Sequence, residues 1–395
     1  MSEIGLYVNN SNTKSWTVRN VQPVEYDVVL CENVLDPANP SILGPIPGQG
    51  RVRRLVVVDA HVDALFGQAI RAYFDGNDVE YRVLVLEPGE TNKTIEASML
   101  VTTAMDEFGV DRRREPVIAI GGGVLLDIVG YACSVYRRAT PFVRVPTTLI
   151  GLVDAGVGVK TGVNANGHKN RIGTYFAAER TLLDRKFLTT LPRRHVSNGL
   201  AEILKIALIK DRELFDLMEV TGEHVLEAKM QPGPGSVDPA LEIIERAIHG
   251  MLTELQPNLW EKTLERVVDY GHTFSPSLEM AALPALLHGE AVCIDMALTT
   301  CLAEQRGLVT EEERRRVLEL MTRLELPTWH PLLTAELLEK ALADTVRHRD
   351  GQQRLPLPVG IGSACFVNDV RPEELAQAAA ALEDVALAQA PAVHA

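Results

Sequence analysis

Three side chains of the types that hold a catalytic zinc ion occur in separate stretches of the chain. Glu202 lies in the run NGLAEILK, His272 in the run GHTFSP and His288 in the run LLHGEAV. Two imidazoles and one carboxylate can bind a divalent metal and leave a coordination position open for substrate oxygens. A single histidine is more often structural, however, and spacing alone does not show that the three converge. The sequence therefore offers a candidate metal site.

Glu202 is followed by Lys205 within a segment that is otherwise apolar. In a helix this spacing places the two side chains on one face. An exposed ion pair of this kind contributes only about 0.2–0.5 kcal/mol to a helix. If the helix is buried, both charges need a metal or ligand partner, because an unpaired buried charge is strongly unfavourable.

A glycine-rich stretch from Val145 to Arg171 carries polar and charged residues at irregular intervals. This pattern suits neither an amphipathic helix nor a plain strand. Its cations could bind a phosphate group, and the alternative is a solvated loop. The candidate residues are Asp154, Lys160, Lys169, Asn170 and Arg171.

Glycines and acidic residues also follow apolar stretches that resemble parallel strands. Gly121–Gly123 joins the run PVIAI to an apolar helix, where glycines would let a pyrophosphate approach the helix N-terminus. Asp59 ends another strand, a position at which acidic residues often hold an adenosine ribose. The alternative interpretation of these features is a tight turn or a helix cap. The same two interpretations apply to Glu90, Lys93 and Asp127.

The composition is that of a globular enzyme with a large core, since 46% of the residues are hydrophobic and 23% are charged. The net charge of −14 argues against a nucleic-acid partner, since the phosphate backbone attracts basic proteins. Because the N-terminus lacks a basic stretch followed by an apolar one, and no window resembles a membrane span, the expected location is the cytoplasm. Five scattered cysteines without a CxxC pair indicate neither a disulfide framework nor a thiolate zinc site.

The pattern of the chain changes near residue 190. Apolar runs alternate with helical patterns before it, which predicts a parallel α/β layer, and amphipathic helical patterns dominate after it. An edge hairpin that includes Tyr26–Leu30 is expected near the N-terminus. The fold class predicted is an α/β N-terminal domain, residues 1–188, followed by a mostly α-helical C-terminal domain, residues 189–395.

The stretch Gly121–Asn170 and the runs NGLAEILK, GHTFSP and LLHGEAV together resemble 3-dehydroquinate synthase and the other sugar phosphate cyclases. This resemblance implies an NAD+-binding α/β domain, a metal-binding helical domain and a homodimer in which Arg138 reaches the substrate phosphate of the neighbouring subunit. It implies zinc or cobalt on Glu202, His272 and His288. The NAD+ residues that it implies are Asp59, Glu90, Lys93, Gly122, Gly123, Asp127, Thr147 and Thr148.

The resemblance also implies which residues surround the substrate. Lys169, Asn170 and Arg138 would bind its phosphate together with Lys160. Lys205 and Asp154 would act on hydroxyl groups and protons. The chemistry implied is transient oxidation by NAD+, β-elimination of phosphate, reduction and an intramolecular aldol reaction, with no net redox change.

Several residues depart from the 3-dehydroquinate synthase pattern, whose substrate has a carboxylate. Pro276 replaces a histidine, Asp269 an asparagine, and Met251 aligns near a lysine; the carboxylate-binding arginine falls near Glu265 or Arg266. With fewer cations, the site would hold a substrate carboxylate less well. The added carboxylate of Asp269 would repel it and favour a polyol, whose hydroxyls can donate hydrogen bonds.

The run VDAGVGVKTGVN, the variant GHTFSP, Asp269 and His348 together resemble the 2-epi-5-epi-valiolone synthase branch of the family, which cyclises sedoheptulose 7-phosphate. The subfamily assignment depends on Asp269 and His348. These two residues would act at the end of the substrate that determines the product. The alternatives are a 3-dehydroquinate synthase, a desmethyl-4-deoxygadusol synthase, a polyol dehydrogenase with the same architecture, and a non-catalytic binding protein on this fold.

Overall fold

A computed structural model describes residues 4–9, 14–44, 51–233, 235 and 237–389 of the chain. The strands, in chain order, are β1 (Gly5–Asn9), β2 (Ser15–Arg19), β3 (Asp27–Leu30), β4 (Arg53–Asp59), β5 (Glu80–Leu86), β6 (Val117–Gly121), β7 (Phe142–Pro146), β8 (Lys160–Ala165), β9 (His168–Tyr175), β10 (Arg180–Leu183), β11 (Leu355–Pro358) and β12 (Ala364–Val367).

The α-helices of the described residues fall mainly in the second half of the chain. They are α1 (Ala60–Gly76), α2 (Ile95–Phe108), α3 (Gly123–Val135), α4 (Arg193–Ile209), α5 (Arg212–Glu227), α6 (Pro239–Leu255), α7 (Ser275–Ala282), α8 (His288–Gln305), α9 (Glu311–Arg323), α10 (Ala335–His348) and α11 (Pro372–Gln389). The predicted fold class, an α/β part followed by a mostly helical part, is confirmed.

The first part is built on a six-stranded parallel sheet in the order β3-β10-β7-β6-β4-β5. The inner strands β4 and β6 are nearly continuous runs of Val, Ile, Leu and Ala, and β6 is buried along its whole length. Such runs are typical of parallel strands that are covered on both faces. Because the strands are parallel, the carboxyl ends of β4, β6 and β7 meet at one edge of the sheet.

The expected N-terminal hairpin exists, but the residues assigned to it were wrong. β1 and β2 form an antiparallel pair, whereas Asp27–Leu30 pairs in parallel with β10 at the edge of the large sheet. The side chains of β3 are only half buried or exposed, as expected of an edge strand. An alternating pattern in a short run does not reveal which strand will be its neighbour.

The glycine-rich stretch forms a second hairpin that the sequence pattern did not predict. β8 and β9 are antiparallel, with an irregularity in the register between Val163 and Ala165. Gly162 and Gly173 face each other, and a Cβ at Gly162 would lie 2.8 Å from the Ile172 carbonyl oxygen. Glycine therefore permits close strand pairing here, and the irregular register explains why no simple period was visible.

Two helices of the second part approach each other very closely at their N-terminal ends. A Cβ on Gly289, in the first turn of α8, would lie 1.9 Å from the Asn198 carbonyl oxygen of α4. The Asn198 side chain accepts a hydrogen bond from the Gly289 N–H at 2.7 Å. α4 also packs on the segment that follows β7, since a Cβ on Gly199 would lie 2.4 Å from the Leu149 Cβ. These contacts leave no room for side chains between the helices.

The hydrophobic core of the helical part extends into the first part. Leu149, Leu152, Val153 and Leu183 belong to the same cluster of buried side chains as the apolar residues of α4 and α8. A short 3-10 helix, Arg185–Thr190, separates the sheet from α4. The domain division at residues 188 and 189 stays a prediction. Among the described helices, none combines the length and the apolar character needed to cross a membrane.

Replacing Gly289 by alanine is expected to lower the free energy of unfolding by about 1–3 kcal/mol or more, because the added methyl group forces the two helices apart. Urea unfolding of the purified variant measures the loss. Gly158→Ala is the matched control, since a Cβ there would lie 3.6 Å from Leu255 Cδ1, an ordinary contact distance. Equal stability of the two variants would show that the contact at Gly289 relaxes without cost.

Candidate active site

Glu202, His272 and His288 converge. Glu202 lies in the middle of α4, His272 in the loop before α7, and His288 at the first position of α8. One potential ligand atom from each lies within 4.8 Å of the other two. The Nε2 atoms of His272 and His288 are 3.7 and 3.2 Å from Glu202 Oε1. The structure thus brings together the three residues that the sequence proposed as metal ligands.

The surroundings of this cluster fit a divalent cation. The Glu202 side chain is fully buried, and neither of its oxygens accepts a hydrogen bond of good geometry, although Lys205 Nζ lies 2.7 Å from Oε2. His272 Nδ1 is 3.0 Å from the Tyr270 carbonyl oxygen. A proton on Nδ1 can be donated to that carbonyl, which leaves Nε2 free to bind a metal. Two nitrogens and one carboxylate suit zinc or cobalt.

Electrostatics set the protonation states of the three potential ligands. Burial raises the pKa of Glu202, but Lys205, His272 and His288 together outweigh it and hold this pKa well below its usual range. Burial lowers the pKa of His272 to about 4, so its ring is neutral near pH 7. Burial and Lys169 lower the pKa of His288, whereas Glu279 and Glu202 raise it to about 9. A metal must therefore displace a proton from His288.

Lys205 and Asp154 lie beside the metal cluster, as the sequence interpretation requires. Lys205 is buried, and its Nζ lies 3.6 Å from Asp154 Oδ1 as well as close to Glu202. Burial lowers the pKa of Lys205, but Glu202 and Asp154 raise it more strongly, so the side chain stays protonated. The surface ion pair considered for Glu202 and Lys205 is therefore excluded, because the pair is inside the protein.

A chain of alternating charges extends from Lys160 to the other side of the site. Lys160 Nζ pairs with Glu261, and Glu261 Oε1 lies 2.8 Å from Arg266 Nη1. Arg266 also contacts Asp269 at 2.8 Å, and Asp269 lies 3.4 Å from Arg349. Burial raises the pKa of Asp269, but Arg266, Lys160 and Arg349 outweigh it and lower this pKa below its usual value. Asp269 is thus a carboxylate.

The network resolves one question that the sequence left open. Arg266 is largely buried and points into the network, whereas Glu265 is exposed. Next to Arg349, His348 lies 3.0 Å from an Arg171 nitrogen on β9. The end of α10, the loop before α7 and the β8–β9 hairpin therefore meet.

The proposed nucleotide residues line the carboxyl edge of the sheet. Asp59 ends β4 and accepts a hydrogen bond from the His61 N–H at 2.8 Å. A Cβ on Gly121 would lie 3.2 Å from Asp59 Cβ, and one on Gly122 would lie 3.1 Å from Thr148 Cγ2. Gly122 is the N-cap of α3 and has no side chain to cap it, so the first N–H groups of this helix are available to an anion. Gly123 and Thr147 lie in the same turns.

Lys93 connects the carboxyl edge of the sheet to the β8–β9 hairpin, which carries the candidate substrate-binding residues. Its buried Nζ donates hydrogen bonds of 2.6 Å to both Asp127 and Asn170. Asn164 Nδ2 donates to Glu90 Oε1 at 2.9 Å. The ordinary capped turn considered for Glu90 and Lys93 is therefore only part of their role, because both also fix the β8–β9 hairpin against the sheet.

Comparisons with known proteins agree with this arrangement. Residues 83–198 match the 3-dehydroquinate synthase N-terminal family and residues 199–346 match the 3-dehydroquinate synthase C-terminal family. The chain belongs to the 3-dehydroquinate synthase family.

Several proteins named 2-epi-5-epi-valiolone synthase are similar to this chain along almost its whole length. The 2-epi-5-epi-valiolone synthase of Streptomyces albus is 56% identical over 98% of this chain and 95% of that protein, and the one of an Actinoplanes species is 57% identical over 96% of both. A structure of the 2-epi-5-epi-valiolone synthase of Streptomyces hygroscopicus subsp. jinggangensis, with NAD+ and Zn2+ bound, superposes with a TM-score of 0.89. It is 55% identical, and the match covers 94% of this chain and all of that chain.

Within this family fold, one predicted residue lies apart from the others. Arg138 is exposed in a loop whose residues Arg137, Arg138 and Ala139 all have positive φ angles, of 48°, 64° and 102°. Such consecutive left-handed conformations are rare for residues other than glycine and are often found at functional sites. Among the described residues no hydrogen bond or ion pair joins Arg138 to the metal cluster of the same chain.

The sequence analysis did not identify two buried carboxylates that lie close to the candidate metal ligands. Glu279 on α7 lies 2.9 Å from His288 Nδ1 and binds Lys169 with both oxygens at 2.7 Å. Asp295 on α8 accepts hydrogen bonds from the N–H groups of Phe274 and Ser275, at 2.6 and 2.9 Å, and so fixes the loop that carries His272. An acid inside the apolar run Ala291–Leu298 of α8 was the available signal for Asp295.

Replacing Asp295 by asparagine is expected to change how stability depends on pH. Burial raises the pKa of Asp295 from 3.8 to about 6, although the N–H groups of Ser275 and Phe274 partly oppose this. A carboxyl group whose pKa is raised by folding stabilises the folded state at pH values below its pKa in the unfolded chain. This stabilisation is lost as the pH rises through about 6, the pKa in the folded protein. Relative to the wild type, the Asp295→Asn variant should therefore gain roughly 2 kcal/mol between pH of about 4.5 and about 7.5.

Urea unfolding at both pH values, in the presence of a chelator, measures this change. Glu304→Gln on the same helix is the control, because Glu304 forms a partly exposed ion pair with Arg314 at 2.7 Å. A pH dependence that is the same in the wild type and in Asp295→Asn would contradict the expectation.

Proposed function

We propose that this protein is a sugar phosphate cyclase that converts sedoheptulose 7-phosphate to 2-epi-5-epi-valiolone with release of phosphate. The observation that carries the proposal is the buried Glu202 carboxylate, which faces two histidine Nε2 atoms without a hydrogen-bond donor of good geometry. The identity of 56–57% with 2-epi-5-epi-valiolone synthases over nearly the whole chain supports the choice of substrate.

The cofactors of this reaction are NAD+ and one divalent metal, Zn2+ or Co2+. Glu202, His272 and His288 would hold the metal, and the carboxyl edge of the sheet would hold NAD+. When bound, NAD+ supplies a hydride acceptor and the metal a Lewis acid for the substrate oxygens. The proposed NAD+ residues are Asp59, Glu90, Lys93, Gly122, Gly123, Asp127, Thr147 and Thr148.

The remaining residues bind the substrate and move protons. Lys160, Lys169 and Asn170 lie on one hairpin, and their donors suit a phosphate group. Lys205 and Asp154, beside the metal cluster, would bind substrate hydroxyls, and the 3.6 Å between them allows a proton to pass through one bound hydroxyl. Phosphate leaves after a neighbouring hydroxyl has been oxidised, because the ketone acidifies the adjacent carbon.

Charges on the far side of the site favour a polyol over a carboxylate. Arg266 is already paired with Glu261 and Asp269, so this cation has little capacity left for a substrate anion. Met251 is buried among apolar side chains, and Pro276 lies in the first turn of α7, where it provides no imidazole. Asp269 can accept hydrogen bonds from hydroxyls and repels a carboxylate. This disfavours 3-dehydroquinate synthesis.

We also propose a cytoplasmic homodimer in which Arg138 reaches the active site of the second subunit. The exposed, left-handed loop around Arg138 supports this role, since a strained conformation presents a cation away from its own site. The five cysteines are free thiols, which suits a reducing compartment.

Incubation of metal-loaded protein and NAD+ with sedoheptulose 7-phosphate is expected to release phosphate and form a cyclitol ketone, without accumulation of NADH. Phosphate assay, absorbance of NADH and NMR of the product measure these outcomes. The substrate of 3-dehydroquinate synthase, tested in parallel, should react at most slowly. Turnover of only that carboxylated sugar would refute the argument from Asp269, and stoichiometric NADH would indicate a polyol dehydrogenase instead.

Mixing two inactive variants tests the role of Arg138. Arg138→Ala and Glu202→Gln homodimers should each lose most activity, by different causes. After subunit exchange, a mixed dimer has one site with an intact Glu202 and the Arg138 of the second subunit, so roughly a quarter of wild-type activity should return for a symmetric dimer. Arg113→Ala, another exposed arginine in this part of the chain, is the control. Absence of any recovery despite exchange would contradict a shared site.

A further inference from the structure

Glu279 connects the metal cluster to the hairpin that carries the phosphate-binding candidates. Its side chain is only 3% exposed and lies in α7, between the loop of His272 and the beginning of α8. One oxygen lies 2.9 Å from His288 Nδ1, and both oxygens lie 2.7 Å from Lys169 Nζ. A single buried carboxylate therefore contacts a metal ligand and a substrate-binding lysine at once.

We propose that Glu279 is a positioning residue that couples the metal centre to Lys169. Its carboxylate orients the His288 ring so that Nε2 faces the metal, and the same carboxylate holds Lys169 next to that ring. This inference rests on the metal-binding role proposed above for Glu202, His272 and His288.

The hydrogen bonds available to the His288 ring explain how the coupling works. Its Nδ1 atom lies 2.9 Å from Glu279 Oε2 and 3.0 Å from Lys169 Nζ. A neutral imidazole nitrogen either donates or accepts a hydrogen bond, so it cannot be bonded to both groups. When Nε2 binds a cation, the proton must be on Nδ1, and Nδ1 then donates to Glu279.

The same proton removes an acceptor from Lys169. The ammonium group has three N–H donors, and with Nδ1 protonated its hydrogen-bond partners among the described residues are the two Glu279 oxygens. The third donor becomes available to an anionic group of the substrate. Glu279 thereby orients the His288 ring for the metal and leaves one donor of Lys169 for phosphate.

A purely structural ion pair between α7 and β9 is the competing explanation. Lys169 and Glu279 are both largely buried, with 11% and 3% of their side chains exposed. Replacing one partner of such a pair would destabilise the protein whatever its role, because a buried charge loses its partner. Stability alone therefore cannot distinguish the two explanations, whereas metal affinity can.

The test is the dissociation constant for Zn2+, measured on the full-length protein by competition with a chromophoric chelator. Glu279→Gln keeps the shape of the side chain but removes its charge, and it should weaken Zn2+ binding by roughly 10–100-fold, as loss of a carboxylate partner of a metal-bound histidine does. Glu279→Asp should bind with intermediate affinity. Glu304→Gln, at the far end of α8, is the matched control and should bind Zn2+ like the wild type.

The coupling itself is tested by adding Lys169→Met to the wild type and to the Glu279→Gln variant. Removing Lys169 leaves the Glu279 carboxylate to His288 alone, so Zn2+ binding should tighten more in the wild-type background than in the Glu279→Gln background. Equal changes in both backgrounds would overturn the coupling. Wild-type affinity in Glu279→Gln, together with reduced thermal stability, would show that Glu279 is only structural.

The outcome for the wild type separates this inference from the proposed function. If the wild-type protein binds no Zn2+, the metal site and the inference both fail. If it binds Zn2+ and Glu279→Gln binds equally well, only the inference fails and the proposed function stands.

Discussion

The close approach of α4 and α8 at Asn198 and Gly289 is the constraint on which the site depends. No side chain fits between the helices there, and the Asn198 amide fixes the first turn of α8 through the Gly289 N–H. Glu202 lies one helical turn after Asn198, and His288 immediately precedes Gly289. The 3.2 Å between Glu202 and His288 therefore follows from backbone packing rather than from flexible side chains.

His272 is brought to this pair by a different device. A Cβ on Gly271 would lie 2.9 Å from Val292 Cγ1 on α8, and the left-handed φ of 73° lets the chain turn at that point. Asp295, about one turn after Val292 on α8, accepts hydrogen bonds from residues that follow His272. Helix α8 thus carries one candidate ligand, His288, and also fixes the loop that carries a second, His272. This makes the geometry of the cluster rigid.

The interior of this acidic protein contains a considerable number of opposed charges around the site. Lys205, Lys169 and Lys93 are each paired with carboxylates, and so is Arg266. Buried ion pairs are seldom favourable for folding compared with apolar side chains. Their concentration in one region is best explained by a substrate that has both a phosphate and many hydroxyls, because such a ligand needs donors and acceptors at fixed positions.

The fold class could be predicted from the sequence, and so could the three candidate metal ligands that the structure brings together. Continuous apolar runs followed by glycine or aspartate predict parallel strands, since only buried strands tolerate such runs, and the local spacing of Glu202 and Lys205 in an apolar helix indicates a site. The order of the strands in the sheet, the pairing of β3 with β10 and the irregular β8–β9 hairpin were not predictable, because they depend on partners distant in the chain.

Only the tertiary structure decided which charges meet. The sequence named Lys169 and His288 separately, but their common partner Glu279 became visible only when α7 packed against β9. In the same way, Arg266 rather than Glu265 faces the site because the loop between α6 and α7 turns one side chain inward and leaves the other in solvent. Residue type and local periodicity determine which groups can do chemistry, whereas contacts between residues far apart in the chain determine which of them act together.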